Sequence, residues 1–357
     1  MLCYHKNIYI DLFKTLQKPF SHAKNFGYEK VSPESRQTRV NEVFSSVASK
    51  YDIMNDLMSL ATHRLWKDYF VARLNPQPNW SIIDGAGGTG DIAFRCHDYL
   101  RLNTHAISAH MAGSSLVAGN TTIPIGKPLF TVGKCLDHFG LLKSVNSVVS
   151  RIPMFGESFR LPVDKALNVT VYDINQEMLD VGAERAVKQY NFKKFEDDYD
   201  NEIVYCRDEQ EISFKQVNLE HLADREPENS RDAFTIAFGI RNCSDIPKVI
   251  EQAYTVLKPG GKFMVLEFSK VAAEPLKTIY DQYSMKMIPV MGQLVAGDYK
   301  SYQYLVESIR KFPDQEKFAE MIRQSGFEKV SYENLTGGVV AIHTGYKPMV
   351  GDEEDSN

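Results

Sequence analysis

Ile82-Ile83-Asp84-Gly85-Ala86-Gly87-Gly88-Thr89-Gly90-Asp91 is the stretch on which the fold of this chain turns. An apolar run ends in an acidic residue, a glycine-dense loop follows, and Ile92-Ala93-Phe94-Arg95 then reads as a helix. That is a strand, a tight turn and a helix start. Glycine tolerates positive φ and lets a ligand approach the main chain. The first N–H groups of the helix lie beside the loop without intrahelical partners. A plain structural turn needs about one or two glycines, and this loop has four, Gly85, Gly87, Gly88 and Gly90. The excess points to a ligand cradle, for a dinucleotide, a phosphate or S-adenosylmethionine.

The spacing separates these ligands. A P-loop needs a Lys-Ser/Thr pair, which is missing, and the fit to G-x-G-x-x-G is imperfect. Ala86, Gly88 and Gly90 instead form A-x-G-x-G behind an acidic strand end. That is the methyltransferase form, in which the ligand carries a sulfonium and an adenosine and has no pyrophosphate.

Outward from the loop, apolar strands alternate with helical stretches. Strands are expected at about 81–84, 169–173, 214–219, 233–238, 262–268 and 339–346. Helical patterns cover about 32–74, a start at 175–179, 246–257 and 314–324. This order predicts a mostly parallel sheet covered on both faces. In such a unit an acidic residue that binds ribose follows the glycine loop by about 20 residues. The matching residue is Asp173, and it comes late because about 65 residues, 101–165, intervene. They are rich in Ser, Gly, Asn and Thr and show no sustained periodicity, as expected of an insertion in a surface connection or of a retained non-coding segment. An acidic run, Phe195-Glu196-Asp197-Asp198-Tyr199-Asp200, reads as a solvated loop rather than a metal site.

Composition narrows the class. The 357 residues are 43% hydrophobic and 24% charged, which supports a sizeable core. A net charge of −5 argues against a nucleic-acid surface. Five scattered cysteines without a CxxC support neither a disulfide framework nor a zinc site, and no metal is expected. No apolar run reaches the roughly 18 residues that span a bilayer. Residues 1–30 are poor in acids and carry Ile8, Leu12, Phe13 and Leu16 at helical spacing, but no Arg precedes Arg36. They read as a mitochondrial transit segment or a flexible tail.

Several longer blocks resemble the ubiquinone/menaquinone biosynthesis C-methyltransferase family. They are Lys50-Tyr51-Asp52-Ile53-Met54-Asn55-Asp56 with His63-Arg64-Leu65-Trp66-Lys67, the glycine loop, Ala237-Phe238-Gly239-Ile240-Arg241-Asn242, Lys300-Ser301-Tyr302-Gln303-Tyr304-Leu305-Val306-Glu307-Ser308, and Asn334-Leu335-Thr336-Gly337-Gly338-Val339-Val340-Ala341-Ile342-His343. The resemblance covers about 26–347 apart from the insertion and the acidic loop near 191–210. It implies an α/β, Rossmann-like class I S-adenosylmethionine-dependent methyltransferase with a mostly parallel seven-stranded sheet and helices on both faces. The methyltransferase domain would span 31–347, followed by an acidic tail at 348–357. Three positions depart from the family. Gly85 stands where a bulkier apolar residue is usual, Ala61 where glycine is usual, and Asn218-Leu219 where an acidic-Ala or Asn-Ala pair is commoner.

The implied reaction is methyl transfer from S-adenosylmethionine to a ring carbon of a polyprenyl methoxy-benzoquinol. A deprotonated phenol activates that carbon, and the site must position the ring, favour phenolate and collect protons. Asp173 is expected to accept from the ribose hydroxyls, the alternative being a helix N-cap. Thr89 and the backbone of Gly87, Gly88 and Gly90 would meet the methionine moiety, and Asn218 and Leu219 would flank adenine. Arg241 would stabilise phenolate or orient a water, the alternative being a structural ion pair. Asn242 would bond a ring oxygen, and Tyr51 would complete the pocket or pack in the core. His63 and His343 are the histidines to weigh as base. Residues 285–295, with Met285, Met287, Met291 and Leu294, supply either an apolar mouth for the polyprenyl tail or plain core. The family further implies a homodimer, a place in a multi-enzyme ubiquinone complex and peripheral attachment to the matrix face of the inner membrane. A non-catalytic, cofactor-binding scaffold subunit is the competing reading, and a NAD-dependent oxidoreductase a distant third.

Overall fold

The computed structural model describes residues 24–26, 29–31, 38–40, 51–111, 167–196, 202–271 and 273–349. The N-terminal stretch to residue 23, residues 112–166 of the expected insertion, the acidic residues 197–201 and the tail from 350 onward lie outside them.

Two short strands, β1 (Lys24–Phe26) and β2 (Glu29–Val31), pair antiparallel. The main sheet is built from β3 (Ser81–Gly85), β4 (Asn168–Asp173), β5 (Lys193–Glu196), β6 (Ile203–Arg207), β7 (Gln210–Gln216), β8 (Arg231–Ala237), β9 (Leu257–Phe268), β10 (Glu328–Leu335) and β11 (Val340–Tyr346). Its order is β10-β11-β9-β8-β3-β4-β7-β6-β5. The five strands from β9 to β7 run parallel. Strand β11 lies antiparallel between β9 and β10. Among the described residues the sheet has nine strands rather than the expected seven, because an antiparallel hairpin, β5–β6, extends it beyond β7. Every residue of β5 is exposed, so the hairpin has no apolar signature to read.

The helices are α1 (Tyr51–Ser59), α2 (Thr62–Leu74), α3 (Asp91–Met111), α4 (Gln176–Lys188), α5 (Ile246–Val256), α6 (Leu276–Lys286), α7 (Ile288–Met291), α8 (Tyr299–Lys311) and α9 (Gln315–Gln324). Helices cover both faces of the central strands, so adjacent strand residues are buried on opposite sides. Ile82, Val169, Val171 and Met264 join Phe70 of α2, Phe94 of α3 and Leu179 of α4 in one core. Ile83, Tyr172, Phe234 and Val265 join Val249 of α5 and Phe318 of α9 in the other. Carboxamide or carboxylate N-caps start four helices: Asn175 accepts from Met178 N, Asp245 from Lys248 N, Asp298 from Ser301 N and Asp314 from Lys317 N.

The helical stretch expected at 32–74 is broken at Leu60 and Ala61, whose φ values are 50° and 61°. Left-handed backbone at Ala61 explains why glycine is the usual residue there. The Trp66 indole donates to Thr336 Oγ1 at 2.8 Å. Tyr69 donates to Glu333 at 2.6 Å. Both bonds fasten α2 to the last hairpin. Helix α3 runs on to Met111, so the first residues of the expected insertion are helical.

Candidate functional site

The carboxyl ends of β3, β4, β8 and β9 converge on one cavity of about 220 Å³. This is where parallel α/β sheets place ligands. Two turns meet there under constraint. Ala86, after β3, has φ 50° and Phe238, after β8, has φ 58°. A Cβ on Gly239 would sit 2.5 Å from the Ala86 Cβ, so only glycine allows the two turns to touch.

One end of the cavity is the glycine loop. A Cβ on Gly87 would lie 2.7 Å from Val171 and 2.8 Å from Asp84 Oδ2. Gly88 has φ 52° and donates its N–H to Asp173 Oδ2 at 2.9 Å. The other Asp173 oxygen accepts from Asn175 N at 2.8 Å. Asp173 therefore holds the loop, while Asn175, not Asp173, caps α4. Burial raises the Asp173 carboxyl above its ordinary range, against the pull of the Asn175, Gly88 and Ile174 N–H groups. Thr89 lines the cavity, and its hydroxyl accepts from Arg185 at 2.8 Å. Gly90 sits behind the loop, against the rings of Phe214 and Phe94.

Strand β7 ends earlier than expected, at Gln216, which leaves Asn218 and Leu219 in the turn that follows. Asn218 accepts from Glu220 N at 3.0 Å, and both residues line the cavity. The departure at Gly85 has a steric counterpart. A Cβ there would meet Phe234 at 2.9 Å and Leu219 at 3.0 Å.

At the other end, Arg241 and Asn242 occupy the short turn Ile240–Asn242 after β8, and both line the cavity. Arg241 is also buried in an ion pair: Nη1 lies 2.7 Å from Glu267 Oε1 and 2.5 Å from the Phe238 carbonyl. Tyr304 donates to Asn242 Oδ1 at 3.1 Å. Tyr51 is the first residue of α1, and its side chain lies outside the described set. His63 lines the cavity, 2.9 Å from Ser59 Oγ, and burial with the nearby Lys67 charge lowers its pKa to about 4. It is neutral at physiological pH. His343 is elsewhere: its Nε2 contacts the Gln315 carbonyl at 2.9 Å, between Phe318 and Tyr332. The walls around this end include Met58, Tyr280, Ile288 and Leu305.

Sequence reasoning gave no role to three charged groups. Asp84 is 1% exposed, accepts from Thr235 Oγ1 at 3.2 Å through Oδ1, and has no donor for Oδ2 among the described residues. Burial pushes its pKa up to about 7. Glu267 is an unremarked acid inside an apolar strand. Lys67 lies on α2, 2.8 Å from Asp91. The acidic strand end was visible in the sequence, but the partners of Glu267 and Lys67 are remote in sequence.

The ubiE/COQ5 methyltransferase family model matches residues 32–124 and 153–347, breaking within the expected insertion. Three proteins named 2-methoxy-6-polyprenyl-1,4-benzoquinol methylase, mitochondrial, are similar over most of their length. That of Oryza sativa subsp. japonica is 42% identical over 92% of this chain and 89% of its own. That of Drosophila melanogaster is 42% identical over 90% and 84%. That of Homo sapiens is 40% identical over 90% and 84%. Among solved structures, a SAM-dependent methyltransferase from Thermotoga maritima aligns at a TM-score of 0.44 with 13% identity, over 86% of this chain and 98% of that one.

Proposed function

The chain belongs to the ubiE/COQ5 methyltransferase family, and from that premise we propose that it methylates a ring carbon of a polyprenyl methoxy-benzoquinol in ubiquinone biosynthesis. It is a methyltransferase that uses S-adenosylmethionine, and it is mitochondrial like its named relatives. The observation that carries the substrate reading is a continuous cavity that joins a polar glycine-loop end to an end walled by Met58, Ile288 and Leu305.

The residues present fit the cofactor. Gly87 packs too closely against Val171 and Asp84 to carry a Cβ, which leaves the loop main chain bare toward the cavity, and Asp84 Oδ2 is a buried acceptor without a donor among the described residues. Asp173 accepts from ribose, Asn218 and Leu219 flank adenine, and Gly87, Gly88 and Thr89 meet the methionine portion, with Gly90 fixing the turn. Asp84 faces the cofactor ammonium. When bound, S-adenosylmethionine supplies an electrophilic methyl group. Arg241 places a fixed positive charge toward a ring phenolate. Asn242 bonds a ring oxygen, and Tyr51 borders the ring. His63, uncharged, is a weak proton acceptor beside them.

The polyprenyl tail must stay out of water. Leu60, Ile279, Met287 and Leu294 are 82%, 61%, 50% and 78% exposed, on elements that adjoin the apolar end. Ile288 of the same segment is buried in the cavity wall. This favours a mouth over plain core and suits peripheral contact with the matrix side of the inner membrane. No described helix is long and apolar enough to cross a membrane. A homodimer and membership of a multi-enzyme ubiquinone complex complete the proposal.

The test is methylation of the demethylated quinol by the purified chain, and rescue of a mutant that lacks the native enzyme. Product bearing one new ring methyl supports the reading. Tight cofactor binding and rescue without any methylated product would instead indicate a scaffold subunit.

A further inference from the structure

S-adenosylmethionine carries a carboxylate at its amino-acid end, and that end must enter a part of the cavity already lined by Asp84, Asp91 and Asp173. Asp91 is balanced by Lys67, Arg95 and Arg185, and a further carboxylate brought into this acidic end needs a cation of its own within reach. Arg241 lines the opposite end and is engaged by Glu267. Arg95, held by Asp68 and Asp91, and Arg185, which donates to Thr89 Oγ1 at 2.8 Å, do not line the cavity. Lys67 remains. It borders the cavity beside the glycine loop, its side chain is 9% exposed, and its Nζ is 2.8 Å from Asp91 Oδ2. A lysine ammonium has three donors, and this contact uses one.

We propose that Lys67 is the partner of the cofactor carboxylate, an inference that rests on the methyltransferase reading. Its location gives the contact a second effect. Lys67 belongs to α2, outside the nucleotide-binding sheet. The same helix carries His63 and Trp66, and the preceding α1 carries Asn55, Met58 and Ser59, all on the cavity wall. Lys67 and Asp68 already tie α2 to Asp91 and Arg95 at the end of the glycine loop, and a cofactor carboxylate on Lys67 adds a further tie between the helical wall of the acceptor pocket and the methyl donor.

The experiment is calorimetric titration of the full chain with three ligands. S-adenosylmethionine has the carboxylate, decarboxylated S-adenosylmethionine keeps the ammonium alone, and 5′-methylthioadenosine has neither. Lys67→Met should weaken S-adenosylmethionine roughly 10- to 100-fold, as loss of a charge-assisted hydrogen bond does, and leave the other two ligands unchanged. Asp91 keeps Arg95 at 3.4 Å and Arg185 at 3.9 Å, which supports folding of the variant. Lys67→Arg, which retains the charge, should keep the preference for the carboxylated ligand. Hydrogen exchange should slow in α2 when the native chain binds S-adenosylmethionine, and not when it binds 5′-methylthioadenosine. Equal losses for all three ligands, or unchanged S-adenosylmethionine affinity in Lys67→Met, would overturn the assignment. A native chain that binds none of the three overturns the cofactor reading itself.

Discussion

Arg241 and Glu267 meet in a 2.7 Å ion pair at the end of the sheet, with side chains 4% and 1% exposed. Glu267 Oε1 also accepts from Phe268 N at 2.8 Å, and the guanidinium lies 5.5 Å from the Phe268 ring centroid. Burial raises the Glu267 carboxyl above its ordinary range, and Arg241 opposes that rise. Removing one member strands the other charge, which costs about 3–5 kcal/mol, whereas an apolar pair of similar volume can be neutral. Glu267→Ala should therefore lower unfolding stability by about that amount. Arg241→Met combined with Glu267→Leu should recover most of it, yet turnover should stay down by about 10²-fold. Turnover that recovers together with stability would assign Arg241 to the framework alone.

Asp173→Ala should weaken S-adenosylmethionine by about 1–3 kcal/mol. Because Asp173 also holds the Gly88 N–H, that loss mixes ribose recognition with loop geometry. A double cycle separates them. The 2′-deoxy form of 5′-methylthioadenosine should bind more weakly than the parent compound in the native chain and equally in the variant. A persisting difference would remove Asp173 from the ribose site.

Asp84 titrates at about 7 in the fold against an ordinary value of 3.8. Between those values the native state holds a proton that the unfolded state has lost, so stability falls as pH rises from about 4 to about 7. Asp84→Asn should be more stable than the native chain at pH 7.5, and the gap should close toward pH 4. A cofactor ammonium favours the ionised form, so binding at pH 6 should release close to one proton, as read in buffers of different ionisation enthalpy. The same release from Asp84→Asn would point to another group.

Leu294 is the cleaner probe of the apolar mouth, since it is 78% exposed whereas Met291 packs with the cluster of Ile288, Tyr302 and Val306. Leu294→Asp should reduce liposome association and slow a long-tailed quinol. It should spare a short-tailed analogue, cofactor affinity and the melting temperature. Equal loss with both quinols argues against a mouth.

Replacing residues 112–166 with a short polar linker should leave a folded, active enzyme. The connection is anchored at the end of α3 and the start of β4, and the amino end of β4 is opposite the strand ends that form the site; long connections cost little to close. An inactive but folded product would mean that these residues reach the cavity.

Much of this was legible because the signals were local. The loop from Asp84 to Asp91 carries its own turn chemistry, and Asp173 follows an apolar run that reads as a strand by itself. The capped helix at 246–256 has Asp245 before it and apolar residues at helical spacing within it. What escaped had no local pattern. Strand β10 is polar along most of its length because it lies at the edge of the sheet and none of its residues is buried. Hairpin β5–β6 gains its strand character from pairing with β7. Glu267 is an acid among apolar neighbours until Arg241, 26 positions earlier, is brought beside it. Lys67 shows no partner in its own helix, and Asp91, 24 positions later, is beside it only in the fold.

The two hydrogen bonds that fasten α2 to the last hairpin join residues 270 and 264 positions apart, Trp66 with Thr336 and Tyr69 with Glu333. On the ribosome, then, the glycine loop and its neighbouring strands emerge long before the partners of α2. A nascent chain shorter than about Glu333 can pack α2 on the sheet and α3 through Phe70 and Lys67 but lacks both hydrogen bonds that close its far side. That interval leaves a sticky surface open at a stage when domains are vulnerable to aggregation. Late frameshifts and C-terminal truncations should therefore yield insoluble, rapidly degraded protein rather than a slow enzyme.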